Sequence, residues 1–190
     1  MAMNTANVTT GKRRVDGGIY RAPLGTTLPT DASTSLAAAF KNIGYVAEDG
    51  VTNTVSRETT DIKEWGGDVV DSVMTAQTDT FKFKSIEALN VDLLKTVFGA
   101  ANVTESSGAI TINVKATESD AAIFVIDMIM KNNRLKRIVI PNGKISALGD
   151  IVYKANEAVA YELTITAALD SSGVTHYEYI SAASSSSSST

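Results

Sequence analysis

The chain has 190 residues, 44% of them hydrophobic and 20% charged, with a formal net charge of −4; that length fits one compact domain with residues to spare for arms and loops. It contains no cysteine and a single histidine, which excludes disulfides, thiolate metal sites and the usual zinc constellations. The acidic balance argues against a free-standing DNA-binding domain, which needs a basic excess to neutralise phosphates.

The first ten residues are polar and lack the apolar core of a secretory signal. No run approaches the roughly 20 apolar residues a membrane helix needs. The expected setting is therefore a reducing, aqueous compartment away from membranes. A composition rich in Ser, Thr and Val suits pleated, half-buried surfaces, so the reading leans to β-structure from the start.

In chain order, Met1 to Asp31 carries Gly, Thr and Pro with scattered apolar residues (Ile19, Tyr20, Leu24, Leu28) and reads as an extended arm, residues 1–31. Asp31 to Phe40 has a polar start and an alanine-rich body, which predicts one short helix. Asn42 to Ala47 reads as a strand, and Glu48-Asp49-Gly50 as a turn, since Asp-Gly readily supplies positive φ. Val51 to Trp65 and Asp68 to Gln77 are rich in β-formers but poor in residues able to fill a core. With Gly66-Gly67 between them they predict a polar hairpin, residues 50–77, projecting from the body.

Thr78 to Ser85 alternates, placing Phe81 and Phe83 on one face and Thr80, Lys82 and Lys84 on the other. Leu89, Leu93 and Val97 recur at i,i+4, as do Leu94 and Phe98, and Gly99 suits a helix C-terminus; this predicts an amphipathic helix over 89–98 lying on a sheet. Ile110, Ile112 and Val114 alternate with polar residues. Ala121 to Met130 is apolar on both faces, as expected of a central strand. Arg134 to Ile140 and Lys144 to Val152 flank Pro141-Asn142-Gly143, which reads as a turn. Val159 to Leu169 alternates again, and Val174 to Ile180 follows the Ser171-Ser172-Gly173 turn. Residues 181–190 form a serine-rich tail with nothing to bury, expected to be disordered. The fold expected is mainly β, a β-sandwich or small barrel with one flanking α-helix, a long projecting hairpin and an N-terminal arm, the β domain spanning 32–180.

Chemistry is scarce. His176, with Tyr177 and Tyr179 as aromatic neighbours, lies on the last strand candidate and reads as a partly exposed strand histidine; no Gly-x-Ser-x-Gly elbow surrounds any serine. Carboxylate pairs such as Asp61/Glu64 and Glu118/Asp120 lie close in sequence without a calcium-loop pattern. Gly17-Gly18 and Gly66-Gly67 lack the strand–loop–helix frame of a phosphate site. No cofactor, metal or catalytic residue is expected. The clusters Lys12-Arg13-Arg14 and Lys131, Arg134, Lys136, Arg137 lack interleaved aromatics for nucleic acid, and read as solvated turns or as partners for a neighbour's carboxylates. Trp65 at the hairpin tip is either a local cap or an interface anchor, since indoles are favoured at interfaces.

The order of segments is informative: Gly-Gly-Ile-Tyr-Arg-Ala-Pro-Leu-Gly-Thr-Thr-Leu-Pro-Thr (17–30), Phe40 to Val51, the hairpin with Asp61-Ile-Lys-Glu-Trp-Gly-Gly, Phe81-Lys-Phe-Lys, and the helix ending in Phe-Gly. Together they resemble the major tail proteins of siphophages, especially those infecting actinobacteria, over Gly17 to Ile180. The resemblance implies a structural virion protein whose hexameric rings stack into the tail tube through which genomic DNA passes. It implies partners as well: copies of itself, the tape measure protein, and tail terminator and distal tail proteins. It implies inter-subunit or inter-ring contacts at Arg57, Glu58, Asp61, Lys63, Glu64 and Trp65 on the hairpin, and at Arg13, Arg14 and Tyr20 on the arm. A mildly acidic surface is what DNA could pass without sticking. The rival readings are the tube protein of a contractile tail or secretion system, a β-rich binding module or adhesin, and, third, a hydrolase resting on His176.

Overall fold

The computed structural model describes residues 3–14, 17–116 and 118–182. The serine run expected to be disordered lies outside the described residues. Among the described residues eleven strands and one α-helix follow in order: β1 (Gly11–Arg13), β2 (Ile19–Pro23), β3 (Lys41–Asn42), β4 (Val46–Lys63), β5 (Val69–Ser85), α1 (Val91–Phe98), β6 (Val103–Ser106), β7 (Ala109–Ile112), β8 (Ala122–Met130), β9 (Leu135–Leu148), β10 (Tyr161–Ala167) and β11 (Tyr177–Ile180). Nine of the strands form one antiparallel sheet along the path β3-β2-β8-β9-β10-β5-β4, with β1 added to β8 and β11 to β9; β6 and β7 pair separately.

The two ends of that path, β3 and β4, are consecutive in the chain, separated only by Ile43-Gly44-Tyr45. The path therefore closes through one bent strand, and of sandwich and barrel the sheet takes the barrel form. Gly44 makes the bend at φ +92°, with the Glu87 side chain packed where a Cβ would stand. Inside, Ile19 of β2, Phe124 and Ile126 of β8, Ile140 of β9, Leu163 and Ile165 of β10 and Phe81 and Phe83 of β5 share one buried cluster. Helix α1 adds Leu93 and Leu94 to it. A smaller cluster lies on the other face of β8 and β9, where Ile123, Val125 and Val139 meet Phe40, Leu28 and Leu36 of the β2–β3 loop.

The central strand behaves as its composition demands, buried on both faces from Ala122 to Asp127. Asp127 is the polar exception. Arg137, 1% exposed, grips it with two parallel bonds, Nε to Oδ1 at 2.7 Å and Nη2 to Oδ2 at 2.8 Å. The Arg137 Nη1 donates to the carbonyls of Asp31 and Thr34. Arg137 was expected in an exposed basic cluster; instead its charge is consumed inside the subunit.

That arrangement also explains why Asp31 to Phe40 is a strap and not the expected helix. Asp31 accepts from the backbone N–H of Ser33 and Thr34, each at 2.6 Å, as a helix cap would. The carbonyls that should continue the helical ladder are given to Arg137. Three other expectations also change. Glu48-Asp49-Gly50 does not reverse the chain: β4 runs through it, and the pairing with β5 shifts between Val46 and Val51, with Gly50 at φ +70°. Pro141-Asn142-Gly143 lies inside β9, at the point where that strand exchanges β11 for β10 as its neighbour. Pro141 is tolerated there because the β8–β9 register is already irregular between Ala122 and Phe124. Helix α1 starts at Val91, because Asn90 caps it by accepting from Asp92 and Leu93 N–H; Leu89 is left outside and 84% exposed.

The N-terminal arm is shorter than the expected 1–31. Residues 11–13 and 19–23 pair with β8, and Ile19 and Ala22 are fully buried. Their alternation is that of a half-buried strand, hidden in sequence by the Gly and Pro around it.

Candidate assembly surface

The longest feature is the hairpin of β4 and β5. The chain turns at Glu64 to Asp68, where Glu64 N–H donates to Asp68 O and Gly67 N–H to Glu64 O, both at 2.9 Å, with Gly67 at φ +97°. The third strand, β10, ends at Ala167, opposite Asp79. Beyond that level β4 and β5 have only each other for about eight residues, or roughly 25 Å at ~3.3 Å per residue. Every residue from Thr52 to Thr78 is exposed. Isolated two-stranded ribbons are marginal in water, and this one is left without a body behind either face.

The register sorts its side chains, because directly opposed residues share a face. One face carries Glu58, Thr60 and Ile62 opposite Ala76, Val73 and Asp71. The other carries Arg57, Thr59, Asp61 and Lys63 opposite Gln77, Met74, Ser72 and Val69. Apolar side chains stand in solvent on both: Ile62 and Val73 on the first, Met74 and Val69 on the second. Trp65 projects from the turn, fully exposed. From residue 50 to 77 there are five carboxylates against Arg57 and Lys63, a formal −3 of the chain's −4.

The hairpin is fastened at its root by polar contacts. The Asp79 carboxylate is buried; Asn53 Nδ2 donates to its Oδ1 at 2.7 Å and His176 Nδ1 lies 2.6 Å from its Oδ2. An ionised carboxylate only accepts, so the His176 proton sits on Nδ1. The His176 ring stands edge-on to Phe81, centroids 5.1 Å apart. An Asp–His pair is the orienting half of a hydrolytic triad. Here the neighbouring hydroxyl, Thr175 Oγ1, is on the same nitrogen at 3.5 Å, where a nucleophile could not use the opposite one. The pair is a clamp between the residue just ahead of β11 and the hairpin, which the sequence did not reveal because Asn53, Asp79 and His176 are far apart along it.

The structure places the six hairpin residues on one ribbon, with Glu58 on the face opposite Arg57, Asp61 and Lys63, and with Glu64 and Trp65 in its turn; the other three lie elsewhere. Arg57 Nε donates to Gln77 Oε1 across the ribbon at 3.3 Å, and the Glu64 carboxylate accepts from Asp68 N–H. Arg13 lies over the Tyr45 ring at 4.5 Å, and Arg14 Nη1 reaches Asp127 Oδ2 at 3.3 Å. Tyr20 is half-buried against the smaller core cluster. The exposed Val and Met residues of β5 were read as strand formers only; their outward placement follows from a ribbon without a body behind it.

Among the described residues no helix is long and apolar enough to cross a membrane. Comparison with curated protein sequences finds no match. Among solved structures the chain is similar to the anti-feeding prophage cap, the tube-terminating cap, with a TM-score of 0.47 and 8% identity over 95% of this chain and 100% of that one. A family model described as phage tail tube protein matches residues 1–190. The chain belongs to the phage tail tube protein family, and is thus a structural, non-enzymatic component of the virion tail that assembles with other tail proteins into a tube.

Proposed function

We infer that the subunit forms six-fold rings which stack into the tube of a long, non-contractile siphovirus-type tail, and that genomic DNA leaves through its lumen without specific binding. The hairpin of residues 50–77 bridges successive rings, with Arg57, Glu58, Asp61, Lys63, Glu64 and Trp65 at the contact. The residues ahead of β2 act as a short arm from the β domain, with Arg13, Arg14 and Tyr20 at its base facing a neighbouring subunit. The tape measure protein fills the lumen during assembly, and terminator and distal tail proteins close the two ends.

One observation carries this reading: a ribbon exposed from Thr52 to Thr78, with apolar side chains in solvent on both faces, on a body that is otherwise closed. Stacking by a projecting element is heterologous, so it propagates as a filament instead of closing. A bare ribbon also pays its ordering cost only on contact, which holds back free subunits from polymerising early. The test is negative-stain electron microscopy of the purified protein at rising concentration, beside a variant lacking residues 61–68. The parent forms rings and hollow tubes, and the deletion gives a folded subunit without tubes. Normal tubes from the deletion variant would sink the bridging role.

A further inference from the structure

The two faces of the ribbon differ in charge, and the acidic one has a counterpart on the same subunit's surface. Glu58 and Asp71 flank Ile62 and Val73 on the first face, which carries no cation. Its complement would be a strip of two apolar side chains edged by cations. Such a strip lies where β1, β8 and β9 end together. Lys12 is opposite Ile129, and Ile129 is opposite Leu135, so these three share a face. Ile129 and Leu135 are half-buried, and Lys12 is exposed.

The β8–β9 turn adds two more cations at the end of the strip. Asn132 and Asn133 take positive φ, 60° and 54°, the left-handed pair of a tight hairpin turn, which sets Lys131 and Arg134 on either side of it. The turn is held from both flanks: Lys131 N–H donates to Thr9 Oγ1 at 3.0 Å, and Arg134 Nε donates to Ser181 O at 3.1 Å. Among the described residues, Lys12, Lys131 and Arg134 are in no ion pair, whereas the nearby Lys136 is matched by Glu178 at 2.8 Å. Three cations are thus held in place around an apolar centre, with no ion-pair partner among the described residues of their own subunit.

The geometry points to a second copy of this chain as the partner: the Glu58/Ile62/Val73/Asp71 face of one subunit docks on the Lys12/Ile129/Leu135 strip and the Lys131–Arg134 turn of another. This names the receptor for the hairpin and rests on the bridging role proposed above. Apolar contact supplies the affinity, and the charges turn this face of the ribbon to the strip, leaving the face bearing Arg57, Asp61 and Lys63 to the other side of the inter-ring contact, since like charges brought together are strongly disfavoured.

Charge exchange tests the pairing. The first variant carries Glu58→Lys with Asp71→Lys, the second Lys131→Glu with Arg134→Glu, and the third all four changes. All four positions are exposed, so each subunit keeps the parent's circular dichroism melt; should a reversal perturb folding, the isosteric pair Glu58→Gln and Asp71→Asn replaces it and slows assembly. Expected in microscopy and light scattering is loss of tubes in the first two variants and their return in the third. Parent-like tubes from either of the first two, or a folded third variant that stays unassembled, overturns the pairing. The two levels are separable: tubes from the 61–68 deletion remove the bridging role altogether, while a deletion that abolishes tubes, with no rescue by the fourfold exchange, removes only this receptor.

Discussion

Replacing Arg137 by Met should be among the most destabilising single changes available in this subunit. The substitution keeps the volume of the stem but leaves the Asp127 carboxylate, 3% exposed, without its two-bond partner. Breaking a buried ion pair from one side costs about 3–5 kcal/mol, because the remaining charge stays desolvated. Arg14, 3.3 Å from Oδ2, retains part of the compensation. Against that, the carbonyls of Asp31 and Thr34 lose their donor, at about 1 kcal/mol each. The two corrections roughly cancel, so about 4 kcal/mol is expected, or a fall in Tm of about 8–16 °C for a domain of this size. Changing both partners, Arg137→Met with Asp127→Leu, removes the stranded charge and leaves only the strap's lost bonds, about 1–2 kcal/mol. Urea unfolding of the unassembled subunit, followed by far-ultraviolet circular dichroism, reads both values. A single change costing under about 1 kcal/mol, or a double change as costly as the single, would refute the assignment of Arg137 as a buried staple.

Three further outcomes follow from the geometry. Gly143→Ala places a Cβ 2.8 Å from Phe124 Cδ2 and 2.9 Å from Ile165 Cγ2; overpacking of this kind costs about 1–3 kcal/mol, and an unchanged melt would show the site to be roomier than described. His176→Ala strands Asp79 Oδ2 at the hairpin root, at about 1–3 kcal/mol, and should speed hydrogen exchange at residues 53–57; unchanged exchange there would remove the clamp role. Asp31 has its carboxyl held well below the usual aspartate range, first by the Thr34 hydroxyl and then by the Thr34 and Ser33 N–H groups. A depressed folded value means the stabilisation is complete above the unfolded value of ~3.9 and is lost as pH falls through the folded one. An NMR titration should place the Asp31 midpoint below its unfolded value, and an ordinary midpoint would deny the strap its cap.

Much of this architecture could be read from local pattern. Ala121 to Met130 announces a strand covered on both faces, and Gly66-Gly67 between Thr- and Val-rich runs announces the hairpin. Gly99 ends the helix as its residue type suggests, whereas the Asn90 cap that starts it was not read. The misread segments share a cause: a turn-forming tripeptide reports what the backbone can do locally, and tertiary pairing decides whether it does. Asp49-Gly50 and Asn142-Gly143 both supply φ freedom, and the barrel uses the first for a bulge and the second for a close approach of Phe124 and Ile165. Arg137 looked like Arg134 in sequence; only its position opposite Asp127 on the next strand turns one into a staple and leaves the other at the surface. The candidate surface divides in the same way. The hairpin's polarity is visible in composition, whereas its two unlike faces exist only once the register with its bulges is known.

The pairing of β2 with β8 sets a clock on synthesis. Ile19 lies opposite Ile126, so the first core strand leaves the ribosome roughly a hundred residues ahead of its partner, a wait of about 5–20 s at ordinary translation rates. The β4–β5 hairpin has no such delay, since ribbons close on themselves within about 1–10 μs of both strands being available. Strand β10, which covers β5 and completes the barrel path, follows β5 by about eighty residues, so for about 4–16 s a nascent chain displays its finished assembly ribbon, the edge of β5 bare, without a barrel behind it. Neighbouring chains on one polysome carry the same bare edge, and edge-to-edge pairing is the standing hazard of such strands. The carboxylates concentrated along the ribbon repel their counterparts on other ribbons, and so keep sister chains apart until each has made β10 and closed.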